Sequence, residues 1–173
     1  MSTRAVFMII AFLTAGCTAL IGGCAGTGSG VELRTIERGV FSGISCREPV
    51  FAVIADTDAY EALFARIGVW KQDSGAAPPV DFEKQLVVAV LMGEKPTAGY
   101  TVAMNKTARV GHGILTIDVI TAYPPPDALT AQVVTSPYAL AVVERGGYTR
   151  VAFVDAGGNV METVDVPNFE KIP

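Results

Sequence analysis

The 173-residue chain is sparing with the side chains that usually do chemistry, with one histidine and three cysteines. His112 sits between two glycines in Val110-Gly111-His112-Gly113. An imidazole there could act as a base or a ligand, but the flanking glycines read first as an exposed hairpin tip. A single histidine cannot build the usual zinc clusters. The patterns G-x-S-x-G, S-x-x-K and H-E-x-x-H do not occur. The carboxylates are scattered, and spacing alone pairs none of them as acid and base. The glycine-rich stretch from Gly26 to Gly30 leads into no helix, so it is no phosphate cradle. The expectation is a chain that is not an enzyme and needs no metal or cofactor.

The cysteines carry a different chemistry. Cys17 follows Thr14-Ala15-Gly16, and Cys24 follows Ile21-Gly22-Gly23. Small residues let a peptidase approach the backbone, and a thiolate can accept a lipid. Both sites resemble the lipobox of bacterial lipoproteins, in which a diacylated cysteine becomes the new amino terminus. Met1-Ser2-Thr3-Arg4 supplies a positive start, and Val6 to Leu13 an apolar core of signal-peptide length. Cys24 is the preferred acceptor, because branched Ile21 precedes it where Cys17 has only Thr14. A flexible tether, Ala25-Gly26-Thr27-Gly28-Ser29-Gly30, then follows at once. Cys17 is the alternative, since its apolar core is closer to the usual length. An uncleaved membrane helix and an ordinary secretory signal are the other readings, the first weakened by Gly16, Gly22 and Gly23. Removal of Cys17 with the signal leaves Cys46 single, a small buried thiol with no disulfide partner.

The net charge of -4 is mild and argues against a nucleic-acid partner. No basic run suggests a second membrane contact. The expected organisation is a signal peptide over 1–23, a tether over 24–31 and one domain over 32–173. A domain of that length can bury its own core without staples.

The elements that must hold any site read mostly as strands. Val31 to Ile44 suggests one or two, and Pro49 to Ile54 another. Asp58 with Glu61 forms a capping-box pattern for a helix near 58–68. Tyr60, Leu63, Phe64 and Ile67 give that helix one apolar face, and Trp70 is expected to fold back onto it. Gln85 to Met92 is a continuous apolar run, as in a strand buried on both faces. Tyr100 to Asn105 and Leu115 to Ile120 alternate. Gln132 to Thr135 and Tyr138 to Val143 follow as further strands. Val151 to Val154 and Val160 to Val164 make a hairpin around Ala156-Gly157-Gly158-Asn159. The fold class expected is α+β, mainly antiparallel β, in a compact sandwich or barrel-like sheet with one amphipathic helix.

One connection stands out. Gly93-Glu94-Lys95-Pro96-Thr97-Ala98-Gly99-Tyr100 joins the most apolar strand to an alternating one. Hairpins need only about two to five loop residues, and this loop is longer. Pro96 fixes φ and Gly99 is free to take a positive φ. The loop is either a turn that sets register or a preorganised contact surface.

The stretch Phe82 to Tyr100 resembles the C-terminal domain of the PrcB family of protease complex subunits. The family pattern is an apolar strand, then G-x-K-P-T-G-G-Y, and later a T-S-P-Y segment leading into a strand. Here that second segment is Thr135-Ser136-Pro137-Tyr138, and the resemblance runs from Asp81 to Arg145. Ala98 departs from it, standing where the family usually has glycine, and Pro124-Pro125-Pro126 is a local peculiarity. What the resemblance implies is a non-catalytic envelope protein that helps a protease assemble, stay stable or stay anchored. Lys95 to Tyr100 is also similar to the N-P-T-T-G-Y loop of chagasin-type protease inhibitors, whose other two loops are missing here.

The expected function is therefore a lipid-anchored accessory protein of the cell envelope. On the periplasmic side of a Gram-negative host it would sit at the outer membrane, because Ala25 rather than aspartate follows Cys24. It would engage an envelope or secreted protein, a protease being the candidate, through Lys95, Pro96, Thr97, Ala98, Gly99, Tyr100, Thr135, Ser136 and Pro137. A chagasin-like inhibitor using the 95–100 loop is the alternative.

Overall fold

In the computed structural model the described residues are 29–68 and 76–167. Cys17, Cys24, most of the tether and Trp70 lie outside them. Strands occupy 48% and helix 8% of the described residues, so the fold is mainly β. In chain order the elements are β1 (Ser29–Gly39), β2 (Val50–Ile54), α1 (Thr57–Gly68), β3 (Gln85–Leu91) and β4 (Thr101–Met104). They continue with β5 (Thr107–Gly111), β6 (Ile114–Ala122), β7 (Tyr138–Glu144), β8 (Arg150–Val154) and β9 (Val160–Asp165). Ser29 and Gly30, at the end of the expected tether, already belong to β1 and pair with Val110 and Arg109.

The strands form one nearly closed, barrel-like sheet in the order β2-β3-β7-β1-β5-β6-β8-β9, with β4 pairing on β6. Two strands serve two neighbours in turn. β1 pairs with β5 through Glu32 and with β7 from Leu33 onward. β6 pairs with β5 at its start and with β4 at its end. Pairing is antiparallel except between β6 and β8, which run parallel. Short turns point to mainly antiparallel neighbours, as found. The exception arises because β7 crosses to the other side of β1 before the chain returns as β8.

Two apolar cores explain why β3 and β7 read as unbroken hydrophobic runs. Leu86, Val88 and Val90 of β3 face the barrel interior with Ala139, Ala141 and Val143 of β7. Val87, Ala89 and Leu91 face outward with Leu140 and Val142, where Tyr60 and Ile67 of α1 cover them. Inside, the Phe51 and Phe153 rings stack at 5.0 Å. Each large side chain so buried is worth about 1.5–3 kcal/mol, which leaves little freedom in strand register.

The helix starts earlier than its apparent cap. Asp56, not Asp58, is the N-cap, and its Oδ1 accepts the Ala59 N–H at 2.8 Å. Asp58 lies inside the first turn, where a carboxylate still suits the helix dipole. Gln132 to Thr135 is not a strand either. Its valines face solvent, and among the described residues it is bridged only at Thr135, to Lys95 outside the strands. The expected hairpin tip at His112 is present between β5 and β6. His112 (φ 51°) and Gly113 (φ 73°) are both left-handed, the geometry that matches strand twist.

Candidate functional site

Three connections meet at one end of the barrel: 40–47 after β1, 92–100 between β3 and β4, and 123–137 between β6 and β7. The 92–100 connection lies between the other two. Met92 N–H donates to the Pro137 carbonyl and Glu94 N–H to the Cys46 carbonyl. Lys95 and Thr135 exchange both backbone bonds, at 2.7 and 2.9 Å. Ala98 N–H reaches the Ala131 carbonyl at 3.0 Å. Thr135, only 2% exposed, donates its hydroxyl to the Thr97 carbonyl at 3.0 Å.

Two glycines make this interlock possible. Gly93 (φ 74°) lies so close to the 40–47 connection that a Cβ would come within 2.6 Å of the Arg47 carbonyl oxygen. Gly99 (φ 98°) faces Pro124, whose Cβ would be 2.9 Å from a Cβ placed there. Pro124-Pro125-Pro126 thus supplies a wall of the loop. Ala98 keeps a negative φ, so its Cβ does not strain the backbone. The Tyr100 ring meets the Tyr123 ring edge-on at 5.8 Å and 83°, a favoured aromatic geometry.

Ser136 ties in the third connection. Its N–H donates to the Val40 carbonyl, and its carbonyl and hydroxyl oxygens both accept from Ser42 N–H. Ser42 is 1% exposed, and its own hydroxyl oxygen accepts the Ile44 N–H at 3.2 Å. The buried hydroxyls of Ser42 and Thr135 are both hydrogen-bonded, as buried polar groups must be.

The interlocked connections enclose an open cleft of about 520 Å³. Phe41 and Ile44 line one wall and Val133 and Val134 the other, with Thr135 at the floor and Glu94 at the rim. Phe41, Val133 and Val134 are 45%, 42% and 60% exposed. Glu94 is the only ionisable residue of the lining. Such a surface suits the burial of a partner's apolar side chain more than bond making. Among the described residues no group of three histidine, cysteine or acidic side chains could hold a metal.

The structure therefore brings together the two segments singled out in the sequence, 95–100 and 135–137. It does not leave the first of them freely projecting. Lys95, Thr97, Ala98 and Tyr100 are half-buried, while Pro96 and Gly99 are exposed. Pro137 and Thr135 are buried. The residues that sequence reasoning missed are Phe41, Ile44, Val133 and Val134. The two valines were taken for strand residues, and only their position beside a proline-linked connection hinted otherwise. His112 stands alone and exposed, and Cys46 is partly exposed rather than buried.

The family model described as PrcB C-terminal matches residues 86–144. The match covers β3 to β7 and contains both interlocked segments. No curated protein and no solved structure matches the chain.

Proposed function

We propose that the chain, whose residues 86–144 match the family model described as PrcB C-terminal, is a lipid-anchored accessory subunit which holds a partner protease at the cell envelope. The observation that supports this most is the apolar cleft that Glu94, Val133, Val134 and Thr135 of the matched region build together with Phe41 and Ile44. An exposed apolar patch with a polar rim marks a contact surface. Its walls are rigid, because the loop beneath them is hydrogen-bonded on both sides. A rigid surface loses little entropy when a partner docks. The amino-terminal sequence supports the anchor: a positive start, an apolar core and a small-residue approach to Cys24.

The inhibitor reading has less support. An inhibitory loop inserts into a cleft, whereas here Lys95 and Thr97 are tied down by Thr135. The contact is better placed on Phe41, Val133 and Val134 than on the tip of the 95–100 turn.

The test is recovery of a protease with the tagged chain from detergent extracts of its own host, after crosslinking in intact cells. Val133→Asp with Val134→Asp should abolish that recovery, since both side chains are exposed and the fold tolerates them. Undiminished recovery of the same protease would place the contact elsewhere. Acyl chains on Cys24 are read separately, by mass spectrometry of the membrane fraction. An intact Met1 there, or an unacylated mature form, removes the anchor from the proposal.

A further inference from the structure

The barrel has a second opening, on its side. On its β5 flank, β1 is hydrogen-bonded only as far as Leu33, whose N–H donates to the Lys106 carbonyl at 2.7 Å. From Arg34 to Gly39 it keeps β7 on one flank, and among the described residues no strand pairs with the other. The strand that would continue the sheet there is β4, which is joined to β5 by Asn105 and Lys106. β4 pairs with β6 alone. Asn105 N–H donates to the Asp118 carbonyl. Antiparallel alternation then turns the backbones of Ala103 and Thr101 toward β6, and those of Val102 and Met104 toward β1.

Val102 and Met104 are 3% and 7% exposed, with their side chains in the barrel core. Among the described residues no strand pairs with β4 on that flank, and an open strand edge is a template for another strand. Between the two edges lies a cleft of about 420 Å³, with Arg38, Gly39 and Val40 on one wall and Thr101, Val102 and Ala103 on the other. Arg38 is exposed, and its guanidinium has no partner among the described residues. Lys106, at the opposite end of the seam, is exposed and also without an ion pair among them. Both ends of the seam are thus positive in a chain whose net charge is -4.

We propose that the seam between β1 and β4 is a strand-acceptor site for an extended, acidic segment of a partner protein. The segment would add as a strand, bonding the Val102 and Met104 edge on one side and the free edge of β1 on the other. Strand addition takes its affinity from such main-chain bonds and its specificity from side chains at alternate positions. An acidic side chain in the segment would pair with Arg38 in a charge-assisted hydrogen bond. The site is separate from the Phe41–Val134 cleft, and its test does not depend on what that cleft binds.

The probe is a capped peptide of about six residues, the length of an ordinary strand, alternating valine with glutamate. A control replaces glutamate with lysine. Amide hydrogen exchange is measured on the full chain in detergent. In the free protein the Val102 and Met104 amides should exchange fast and those of Ala103 and Asn105 slowly. The acidic peptide should slow Val102 and Met104 by about tenfold or more, and the lysine control should not. Arg38→Glu should weaken peptide binding about tenfold, the loss of one charge-assisted hydrogen bond. Its Ala103 amide should stay slow, which reports an intact β4. The proposal is overturned if Val102 and Met104 are already as slow as Ala103 without peptide. It is equally overturned if both peptides act alike, if neither acts up to its solubility limit, or if Arg38→Glu binds the acidic peptide as well as before. Slowing that grows with protein concentration alone would assign the seam to a second copy of this chain and also overturn it.

Discussion

Thr135 donates its hydroxyl to the carbonyl of Thr97 at 3.0 Å, although the two residues are 38 positions apart. The bond joins the connection before β4 to the connection before β7. Thr135→Val keeps the shape and removes the donor, leaving the Thr97 carbonyl without this bond. The expected loss is about 1 kcal/mol, the net worth of one hydrogen bond, read as a lower denaturation midpoint at unchanged slope. Recovery of a partner protease should fall with it, because the cleft wall would no longer be held. A stability equal to that of the parent would mean that the bond is not formed in solution.

Gly99 and Ala98 are adjacent and should respond in opposite ways to the same methyl group. Gly99→Ala places a Cβ at φ 98° and against Pro124. Forcing a side chain into such a conformation costs about 1–3 kcal/mol. Ala98→Gly removes the methyl group at a position with no positive φ to relieve. Its cost should be only the added freedom of the unfolded chain, about 0.5–1 kcal/mol. Thermal unfolding of the two variants side by side checks the order, and equal losses would contradict it.

The helix cap gives a second contrast between neighbours. Asp56→Ala removes the acceptor of the Ala59 N–H and should cost about 1 kcal/mol. Asp58→Ala loses only an exposed charge in the first turn, worth a few tenths, about 0.3 kcal/mol or slightly more. Denaturant titration of both variants decides between Asp56 and Asp58 as the cap.

Tyr148 predicts an alkaline limb in the stability of the domain. Its hydroxyl donates to the Glu144 carbonyl, and burial pushes its ionisation up to about 12 from 10.0. In the unfolded chain the phenol ionises near 10, so between pH 10 and 12 unfolding releases a proton. The tyrosine's contribution is therefore complete below pH 10 and is lost as pH rises toward 12. The melting temperature should fall over that window, and Tyr148→Phe should fall less steeply. Parallel curves for the two proteins would show that other groups set the limb.

The fold was largely legible because its strands carry period-two or continuous apolar patterns. Gln85 to Leu91 announced burial on both faces, and the structure supplies the two cores that this requires. β5 was not legible, since only Ala108 and Val110 face the core in a segment of five residues. Gln132 to Thr135 misled for the opposite reason. β-branched residues favour strands only where a neighbour covers them, and here the proline-linked path keeps Val133 and Val134 outside the sheet. The 95–100 and 135–137 segments could be named from the sequence, but their hydrogen bonding could not, because a long-range bridge leaves no local spacing. Phe41 and Ile44 were invisible as site residues until the Ser42–Ser136 contact brought their connection alongside.

β1 is the first strand of the sheet and lies between two others, β5 and β7, with its ladders at right angles to its length. A pull on the amino end runs along this strand and must shear many hydrogen bonds at once. A pull on the carboxyl end acts on β9, an outer strand held, among the described residues, by β8 alone in the ladder, and can peel it bond by bond. The two ends of the chain are thus mechanically unequal. Single-molecule extension should show a higher rupture force when the load enters at Ser29 with β9 spared than when β9 is the strand pulled. A domain tethered by its amino terminus is gripped at its strongest point.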